Sequence, residues 1–412
     1  MTITDIDLLA DAWVAGVPID EFDRLRREDP VHWHPEPNGP GFWAVTRHAD
    51  VVAVSRGTET YSSELGSPFI STQTDEAMEQ IRLSILGMDG AKHHRYRRLV
   101  SKGFTPRVIA TLESQIVDRA AAIMDAVSEK GECEFVGDVA AQLPLQIICE
   151  MIGLPEADWH RMFELSNKMV GFDDPELQAT PEDGGIAAAE IYGYCDAIAN
   201  ERRAHPRDDL MTALVEAEVD GDRLDDLELN LFFVTLVVAG NETTRNLITH
   251  GTLALIEHPE QADRLRADPS LYPSAVEEML RWGSSIHNFR RTATRDTELG
   301  GKLIKAGDKV VIYYLAANRD PEVFTDPHTF DIGRTPNDHV AFGGGGVHFC
   351  LGANLARSEI RAMIRQVVER MPDLKLDGEP RRLRSDFING IKSMPVRFTK
   401  TPRRDGGQGA DS

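Results

Sequence analysis

The stretch FGGGGVHFCLG, residues 342–352, sets four consecutive glycines and a histidine before a single cysteine. The residues that follow, ANLARSEIRAMIRQVVERM, are typical of a helix, so Cys350 is predicted to lie just before a helix N-terminus. Free N–H groups and the helix dipole at such a position lower the pKa of a thiol. The glycines let the backbone approach a flat ligand closely. The pattern favours a thiolate metal ligand; the alternative is a buried structural cysteine beside a glycine-rich turn.

The kind of metal site follows from the shortage of further ligands. A zinc site needs about four protein ligands, and only His348 and Cys350 lie in this stretch. An iron–sulfur cluster usually takes four cysteines, whereas the four cysteines of this chain are widely spaced. One thiolate is enough for haem, so haem is the group that the stretch predicts.

The stretch resembles the cysteine loop of the cytochrome P-450 superfamily, the haem-thiolate monooxygenases. The spacing from Phe342 to Cys350 is one residue longer than in the commonest form of that loop, as it is in the bacterial subgroup that acts on sterols and methyl-branched lipids. The resemblance implies b-type haem with Cys350 as the iron ligand and Phe342, Gly343, His348 and Gly352 as further haem contacts. The residues that match the family pattern are Phe342, Gly343, Gly346, His348, Cys350 and Gly352.

A second segment, EEMLRW, places Glu278 and Arg281 three residues apart on one helix face. Read alone, such a pair is usually an exposed ion pair of little energetic value. In the resembled family the pair is buried and is joined by the arginine of an FDxxR segment, present here as Phe330, Asp331 and Arg334. The resemblance implies that Glu278, Arg281 and Arg334 form a structural triad that holds the cysteine loop.

The segment VVAGNETT, residues 237–244, lies in the most apolar predicted helix. Polar residues buried there must be hydrogen-bonded or serve a function; the alternative is a helix end that turns to solvent. The resemblance implies that Ala239 and Gly240 face the haem, with Gly240 leaving a gap for dioxygen. It also assigns Glu242 and Thr243 as the catalytic acid–alcohol pair, which relays protons through water.

The two haem propionates need cationic partners. The segment HHRYRRLV matches the family's His-x-x-x-Arg pair in His93 and Arg97, although a solvated basic helix face is the plainer interpretation. Arg291 and His348 match two further propionate partners. The adjacent Arg290 is an alternative to Arg291 as a propionate partner, and the sequence does not distinguish between the two.

The substrate pocket is predicted by position within the resembled family. Most of the matching residues are apolar, which favours a hydrophobic substrate, and the subgroup suggests a steroid, terpenoid or branched lipid. Each position could equally be ordinary core. The predicted pocket residues are Phe69, Ile70, Val170, Val234, Val238, Ala239, Ile286, Phe289 and Ile391.

Composition restricts partners and location. The formal net charge is −22, from 45 basic and 67 acidic residues, which argues against nucleic acid and anionic membranes as partners. The longest apolar run is about half the roughly 20 residues of a membrane span. The N-terminal residues lack the basic stretch of a signal peptide, and there is no CxxC pair, so a reducing cytoplasm is predicted.

Electrons must come from other proteins, because 412 residues leave no room for a fused reductase. The resemblance implies that NAD(P)H supplies them through a ferredoxin reductase and a ferredoxin. An acidic ferredoxin is expected to dock by electrostatic complementarity on the surface behind the cysteine. The predicted docking residues are Arg95, Arg98, Lys102, Arg357 and Arg361.

Taken together, these segments predict a mainly α chain with small β-sheets, in the cytochrome P-450 fold, a triangular prism of helices around a buried haem. Residues 1–400 are expected to form one domain, followed by a disordered tail at 401–412. The predicted activity is O2-dependent hydroxylation or epoxidation of a hydrophobic small molecule. A haem-based binding or sensor protein and a peroxide-driven peroxygenase are the alternatives; the acid–alcohol pair argues against the peroxygenase.

Overall fold

A computed structural model describes residues 3, 6–9, 13, 16–104, 106–170, 174–178, 180, 182–219 and 221–403. Most of the tail predicted to be disordered lies outside these residues. The described chain is mainly helical with small sheets, which confirms the predicted fold class. The helices are α1 (Ile19–Glu28), α2 (His48–Arg56), α3 (Asp75–Ile81), α4 (Gly90–Val100), α5 (Pro106–Val127), α6 (Gln142–Ile152), α7 (Trp159–Val170), α8 (Glu182–Ala204), α9 (Leu210–Val215), α10 (Asp226–Glu257), α11 (Pro259–Ala267), α12 (Tyr272–Gly283), α13 (Tyr314–Ala317) and α14 (Ala353–Arg370).

The strands form small sheets beside the helices. In the largest sheet the order is β1-β2-β8-β5-β3, with β2 and β8 parallel and the other pairs antiparallel. The strands are β1 (Val31–His34), β2 (Phe42–Val45), β3 (Tyr61–Ser62), β4 (Glu132–Glu134), β5 (Asn288–Ala293), β6 (Thr297–Leu299), β7 (Lys302–Ile304), β8 (Lys309–Tyr313), β9 (Lys375–Leu376), β10 (Arg381–Arg382), β11 (Ile391–Ser393) and β12 (Pro395–Arg397).

Helix α10, with 32 residues, is the central element of the main core. It begins with a capping box, in which Asp225 accepts from the backbone N–H of Glu228 and Glu228 accepts from that of Asp225. These contacts satisfy backbone donors that a helix leaves free at its start. Helices α6, α7, α8, α12 and α14 pack around α10, so its middle is held from several sides.

Candidate active site

The cysteine loop ends at Cys350, directly before helix α14 at Ala353. Gly343 and Gly346 have φ angles of +97° and +80°, values that favour glycine. A Cβ at Gly346 would lie 2.9 Å from the carbonyl oxygen of Ser55. The backbone N–H of Cys350 donates to the carbonyl oxygen of Phe342 over 3.0 Å. The loop therefore needs glycine both for its backbone angles and for its close approach to α2.

Cys350 has accessible surface, yet its surroundings are desolvated, and this burial is the largest influence on the thiol pKa, which it raises. The backbone N–H of Gly352 and the charges of Arg97 and Arg357 lower that pKa by smaller amounts. The prediction of a lowered thiol pKa is therefore wrong for the free side chain, since desolvation outweighs the helix N-terminus. An exposed sulfur in buried surroundings faces an internal space, and a metal that binds it would itself favour the thiolate.

The three residues of the predicted triad meet in the interior. Arg281 Nε and Nη2 donate to Glu278 Oε2 and Oε1, each over 2.7 Å, and neither side chain is exposed. Arg334 Nε lies 3.1 Å from Glu278 Oε2. Arg281 Nη1 also donates to the carbonyl oxygen of Asn318 over 2.9 Å, and Asn318 Oδ1 accepts from the N–H of Val340 over 2.8 Å. The network thus reaches the start of the cysteine loop.

Helix α10 is buried along most of its length, but its middle carries an open strip. Ala239 is exposed, and Val234, Val238, Gly240 and Thr243 are partly exposed. Residues three or four apart share a helix face, so Val234 lies beside Val238, and Ala239 lies beside Thr243. Thr243 Oγ1 donates to the carbonyl oxygen of Ala239 over 2.7 Å. A helix so deeply placed can expose such residues only to a space inside the protein.

Glu242 lies in different surroundings from its neighbour Thr243. Its side chain is 2% exposed and accepts a hydrogen bond from Arg245. Burial raises the pKa of Glu242, and the Arg245 charge opposes that shift. A Cβ at Gly240 would lie 3.4 Å from Ile148 of helix α6. A side chain at position 240 would therefore contact α6 first. The role of Gly240 in leaving a gap for dioxygen stays a prediction.

Cationic and imidazole groups gather beside the cysteine loop. The rings of His93 and His348 are 4.3 Å apart. His348 Nε2 lies 3.6 Å from Asp89 Oδ1, and Arg97 Nη2 donates to the carbonyl oxygen of Phe349 over 2.6 Å. Desolvation, followed by the charges of His348 and Arg97, lowers the pKa of His93 to about 4. The sequence thus brings helix α4 and the cysteine loop together through the residues expected to bind propionates.

The geometry of strand β5 distinguishes Arg291 from Arg290 as the candidate propionate partner. Successive strand residues point to opposite faces, and the Arg291 guanidinium lies over the Phe289 ring at 5.9 Å, so these two share a face. Arg291 is close enough to His348 to lower the pKa of its imidazole. The main charge acting on Arg290 is instead Glu36. Arg291, and not Arg290, lies on the side of the cysteine loop.

The comparisons with known proteins agree with this geometry. The family model "Cytochrome P450" matches residues 158–372. The chain is also 45% identical over 410 residues to the methyl-branched lipid omega-hydroxylase of Mycobacterium tuberculosis, covering 96% of this chain and 95% of that protein. The chain is a cytochrome P450.

Further similarities extend over almost the whole of this P450. It is 42% identical over 406 residues to the steroid C26-monooxygenase of Mycolicibacterium smegmatis, covering 96% of this chain and 94% of that protein. A solved structure of a Mycobacterium marinum cytochrome P450 in complex with pseudoionone superposes with a TM-score of 0.90 at 42% identity, over 96% of this chain and 98% of that one. The predicted P-450 fold and monooxygenase activity are confirmed.

Haem is the cofactor of this family, and the residues of this P450 fit it. His93 Nδ1 and Nε2 and Arg291 Nε are buried without a hydrogen-bond partner among the described residues, as expected of groups that receive anionic propionates. Cys350 would ligate the iron, and His93, Arg97, Arg291 and His348 would hold the propionates. Bound haem supplies the activation of O2 that the monooxygenase reaction needs.

Two predicted pocket residues, Val238 on α10 and Ile286 after α12, pack with Phe387 against the buried pair Leu383 and Ile388. Phe387 extends the cluster to two other predicted residues. Its ring lies 4.9 Å from that of Phe69 and 5.2 Å from that of Phe289. The P450 therefore has an aromatic and aliphatic wall beside the open strip of α10.

Other pocket predictions fit less well. Ile70 is 3% exposed and packs in the core between the N-terminal segment and the large sheet. Ile391 is 1% exposed and belongs to the main core. Neither side chain reaches an open space, so their assignment to the pocket stays a prediction; sequence position alone does not fix the direction of a side chain. The side chain of Val170 lies outside the described residues.

Several residues at the site were not predicted from the sequence. Phe387 belongs to an apolar turn in which Ser385 Oγ accepts from its backbone N–H. Leu177, in the segment between α7 and α8, contacts the same cluster as Val238. Asp89, which lies beside His348, could have been predicted from the sequence. It stands four residues before His93, and aspartate is common at the residue that starts a helix. The partner of Glu242, Arg245, follows it by one helical turn.

The predicted docking residues are largely neutralised within the P450 itself. Three of the five arginine and lysine side chains form ion pairs with its own carboxylates, and docking of a ferredoxin on them stays a prediction. Arg98 is exposed beside a cleft of about 520 Å³ between α4 and the cysteine loop, and the Lys102 side chain lies outside the described residues. The ion pairs are Arg95 with Asp222 and Glu228, Arg357 with Glu277, and Arg361 with Glu113.

Over the described parts of the chain, no helix is both long enough and apolar enough to cross a bilayer.

Proposed function

We propose that this P450 hydroxylates the branched end of an aliphatic chain in a hydrophobic lipid, such as a methyl-branched fatty acid, a terpenoid or a steroid side chain. The observation that carries the proposal is the apolar wall of Val238, Ile286, Phe289 and Phe387 beside the open strip of α10. Relatives named for methyl-branched lipids and for steroid C26 support the same choice. These names share an oxidised position on a branched hydrocarbon chain.

The wall supports an apolar substrate on physical grounds. Ligand pockets lined by aliphatic and aromatic side chains bind by burying hydrocarbon surface, at about 25 cal/mol per Å². A flexible chain with methyl branches fills such a space with few polar requirements. A polar substrate would lose its hydrogen bonds to water beside these side chains and bind weakly.

Within this proposal, Thr243 and Glu242 supply protons on the substrate side of α10. Thr243 is partly exposed at the open strip, so its hydroxyl can order water there. Glu242 is buried behind it and paired with Arg245, so it can feed protons to that water only from one carboxylate oxygen. Ala239 and Gly240 are small and leave space beside Thr243.

We further propose a ferredoxin as the electron donor and a cytoplasmic location. Redox partners are typical of cytochrome P450s, and the wide spacing of the four cysteines supports a reducing compartment. The cleft between α4 and the cysteine loop, which Arg97 and Arg98 line, is the docking surface we expect, because it lies beside the loop that carries Cys350. Reduction by ferredoxin should slow with increasing salt; an Arg98→Glu variant should be slower still, and an unchanged rate in that variant would exclude this surface.

The substrate proposal is tested by binding and product analysis of the haem-loaded protein. A methyl-branched fatty acid, a linear acid of equal length and a sterol are titrated while the resting absorption spectrum is recorded. We expect the branched acid and the sterol to shift the spectrum at lower concentration than the linear acid. Mass spectrometry should then find oxygen near the branched end. Tighter binding of the linear acid, or oxidation elsewhere, would contradict the proposal.

The two alternatives predict different behaviour. A peroxygenase would form product with hydrogen peroxide as efficiently as with NADH, ferredoxin and reductase. A haem-based sensor would bind ligand and consume no NADH. We expect NADH-dependent product formation and a Thr243→Ala variant that diverts electrons to peroxide, because proton delivery to oxygen is then impaired.

A further inference from the structure

Helices α10 and α7 are joined by two polar contacts that flank Glu242. Asn241 Nδ2 donates to Ser166 Oγ over 3.1 Å. Arg245 Nη1, one helical turn further along, donates to Asn167 Oδ1 over 2.8 Å. Ser166 and Asn167 are consecutive residues near the C-terminal end of α7. Both contacts therefore hold the same part of α7 against the stretch of α10 that carries Glu242.

Arg245 connects α7 directly to the carboxylate of Glu242. Its Nη2 donates to Glu242 Oε2, and the two side chains are 8% and 2% exposed. Glu242 Oε1 and Arg245 Nε are buried with no hydrogen-bond partner within the described chain. One carboxylate oxygen is therefore fixed by Arg245, and the other is available to carry a proton.

A buried ion pair of this kind is weak evidence for a purely structural role. Removing two charges from water costs several kcal/mol per ion, and apolar residues of similar volume often stabilise a core as well or better. The pair here also lacks the full set of hydrogen bonds that would repay its burial. It sits next to Thr243, whose side chain reaches the open strip. Its location points to proton handling.

We propose that Arg245 is a positioning residue, which fixes Glu242 Oε2 and, held in turn by Asn167, leaves Oε1 as the oxygen that exchanges protons toward Thr243. The proposal rests on the relay role proposed for Glu242. In each transfer an O–H bond breaks at Oε1 while one forms on a water near Thr243, and Glu242 regains a proton from solvent. The position of α7 thereby influences proton supply, because Asn167 holds Arg245.

The test compares Arg245→Lys, Arg245→Gln, Asn167→Ala and the double variant Arg245→Gln with Asn167→Ala. We expect Arg245→Gln to lower product formed per NADH about tenfold, a part of the roughly 10²- to 10⁴-fold that a positioned acid contributes. Arg245→Lys should retain most of the coupling. Asn167→Ala should lower it by a smaller factor and add nothing to Arg245→Gln, since residues acting through one contact are not additive.

An infrared measurement separates positioning from structural support. The carboxyl band of Glu242, assigned by its loss in Glu242→Gln, is titrated with pH in the resting protein. Arg245→Gln should move the midpoint upward, because the cation that opposes protonation is gone. The control is Asn230→Ala, which removes another contact of α10, from Asn230 Nδ2 to Asp196 Oδ1 at 2.9 Å, and should move neither the midpoint nor the coupling.

The outcomes distinguish the positioning role of Arg245 from the relay role of Glu242 on which it rests. If Glu242→Gln leaves coupling unchanged, the relay role of Glu242 fails and the positioning role fails with it. If Glu242→Gln impairs coupling but Arg245→Gln changes neither coupling nor the infrared midpoint, only the positioning role is overturned. Strict additivity of Asn167→Ala and Arg245→Gln would overturn the link to α7.

Discussion

Asp174 Oδ2 lies 2.7 Å from Lys392 Nζ and joins the segment between α7 and α8 to strand β11. Asp174 is only 2% exposed, and Glu176 adds a second carboxylate 3.1 Å from the same ammonium. Leu177, in the same segment, contacts the apolar cluster that includes Val238. The ion pair therefore holds an apolar residue of the segment in place beside the proposed substrate pocket.

Lys392→Met should weaken substrate binding about fivefold, or roughly 1 kcal/mol. The buried Asp174 carboxylate would lose its cation, which is costly for a desolvated charge, and the segment would move away from the pocket to reach water. Stopped-flow absorption should show faster dissociation of substrate. Arg381→Met is the matched control, because its pair with Glu176 is exposed and such pairs contribute little. Equal effects of the two variants would refute the role of the Asp174–Lys392 ion pair in holding the segment.

Glu278→Gln should lower the free energy of unfolding by about 3–5 kcal/mol, the usual cost of breaking a buried ion pair by removing one partner. The change leaves Arg281 buried with a neutral amide in place of its carboxylate. Because the same network reaches Val340 at the start of the cysteine loop, haem retention should fall as well. Urea unfolding monitored by circular dichroism gives the stability, and the haem absorption gives the retention.

The control for Glu278 is an exposed pair of the same type in a neighbouring segment. Arg264 Nη1 lies 2.7 Å from Asp331 Oδ1, with side chains 47% and 40% exposed. Arg264→Gln should cost less than about 1 kcal/mol, because water screens the pair. A comparable loss of unfolding free energy in both variants would mean that burial does not make the triad more stabilising than an exposed ion pair.

Arg291→Gln should accelerate loss of haem to a haem-accepting protein, whereas Arg290→Gln should leave that rate within about twofold, a difference of roughly 0.4 kcal/mol. Arg291 shares a face with Phe289 and lies near His348, while Arg290 faces Glu36. Each variant removes one buried cation, so the two are closely matched. Faster loss from Arg290→Gln would reverse the assignment.

Much of the fold and site could be predicted because local motifs carry strong physical requirements. The glycines before Cys350 need positive φ angles, and Glu278 and Arg281 are one helical turn apart, so both features are visible in the sequence. Side-chain direction across long separations is not visible. Arg290 and Arg291 look alike in sequence and separate only through strand pairing. The packing of Ile70 against the N-terminal segment could not be foreseen, because it depends on tertiary structure.

The prediction of a lowered thiol pKa failed for a related reason. A helix N-terminus after Cys350 suggested a lowered thiol pKa, but the depth of burial decides the balance and depends on the whole fold. The ion pairs of the basic residues near α4 and α14 could not be foreseen either, because their acidic partners are distant in sequence. Arg361 and Glu113, for example, are 248 residues apart and directly paired.

Glu359 on α14 gives a pH-dependent prediction. Burial raises the pKa of Glu359 to about 8, and a hydrogen bond from Thr244 opposes the shift slightly. In the unfolded chain a glutamate has a pKa of about 4.3, so between these values the folded state binds one proton more than the unfolded state. The free energy of unfolding must then fall as pH rises from about 4.3 to 8, because folding is linked to proton uptake.

Glu359→Gln should remove this part of the pH dependence and stabilise the protein near pH 8. An amide of the same shape cannot ionise, and it can still accept the hydrogen bond from Thr244. Each unit of pKa shift corresponds to about 1.4 kcal/mol, so the gain near pH 8 should reach a few kcal/mol and vanish near pH 4. Urea unfolding at several pH values gives both curves. Parallel curves for the two proteins would show that Glu359 is already ionised in the folded state at neutral pH.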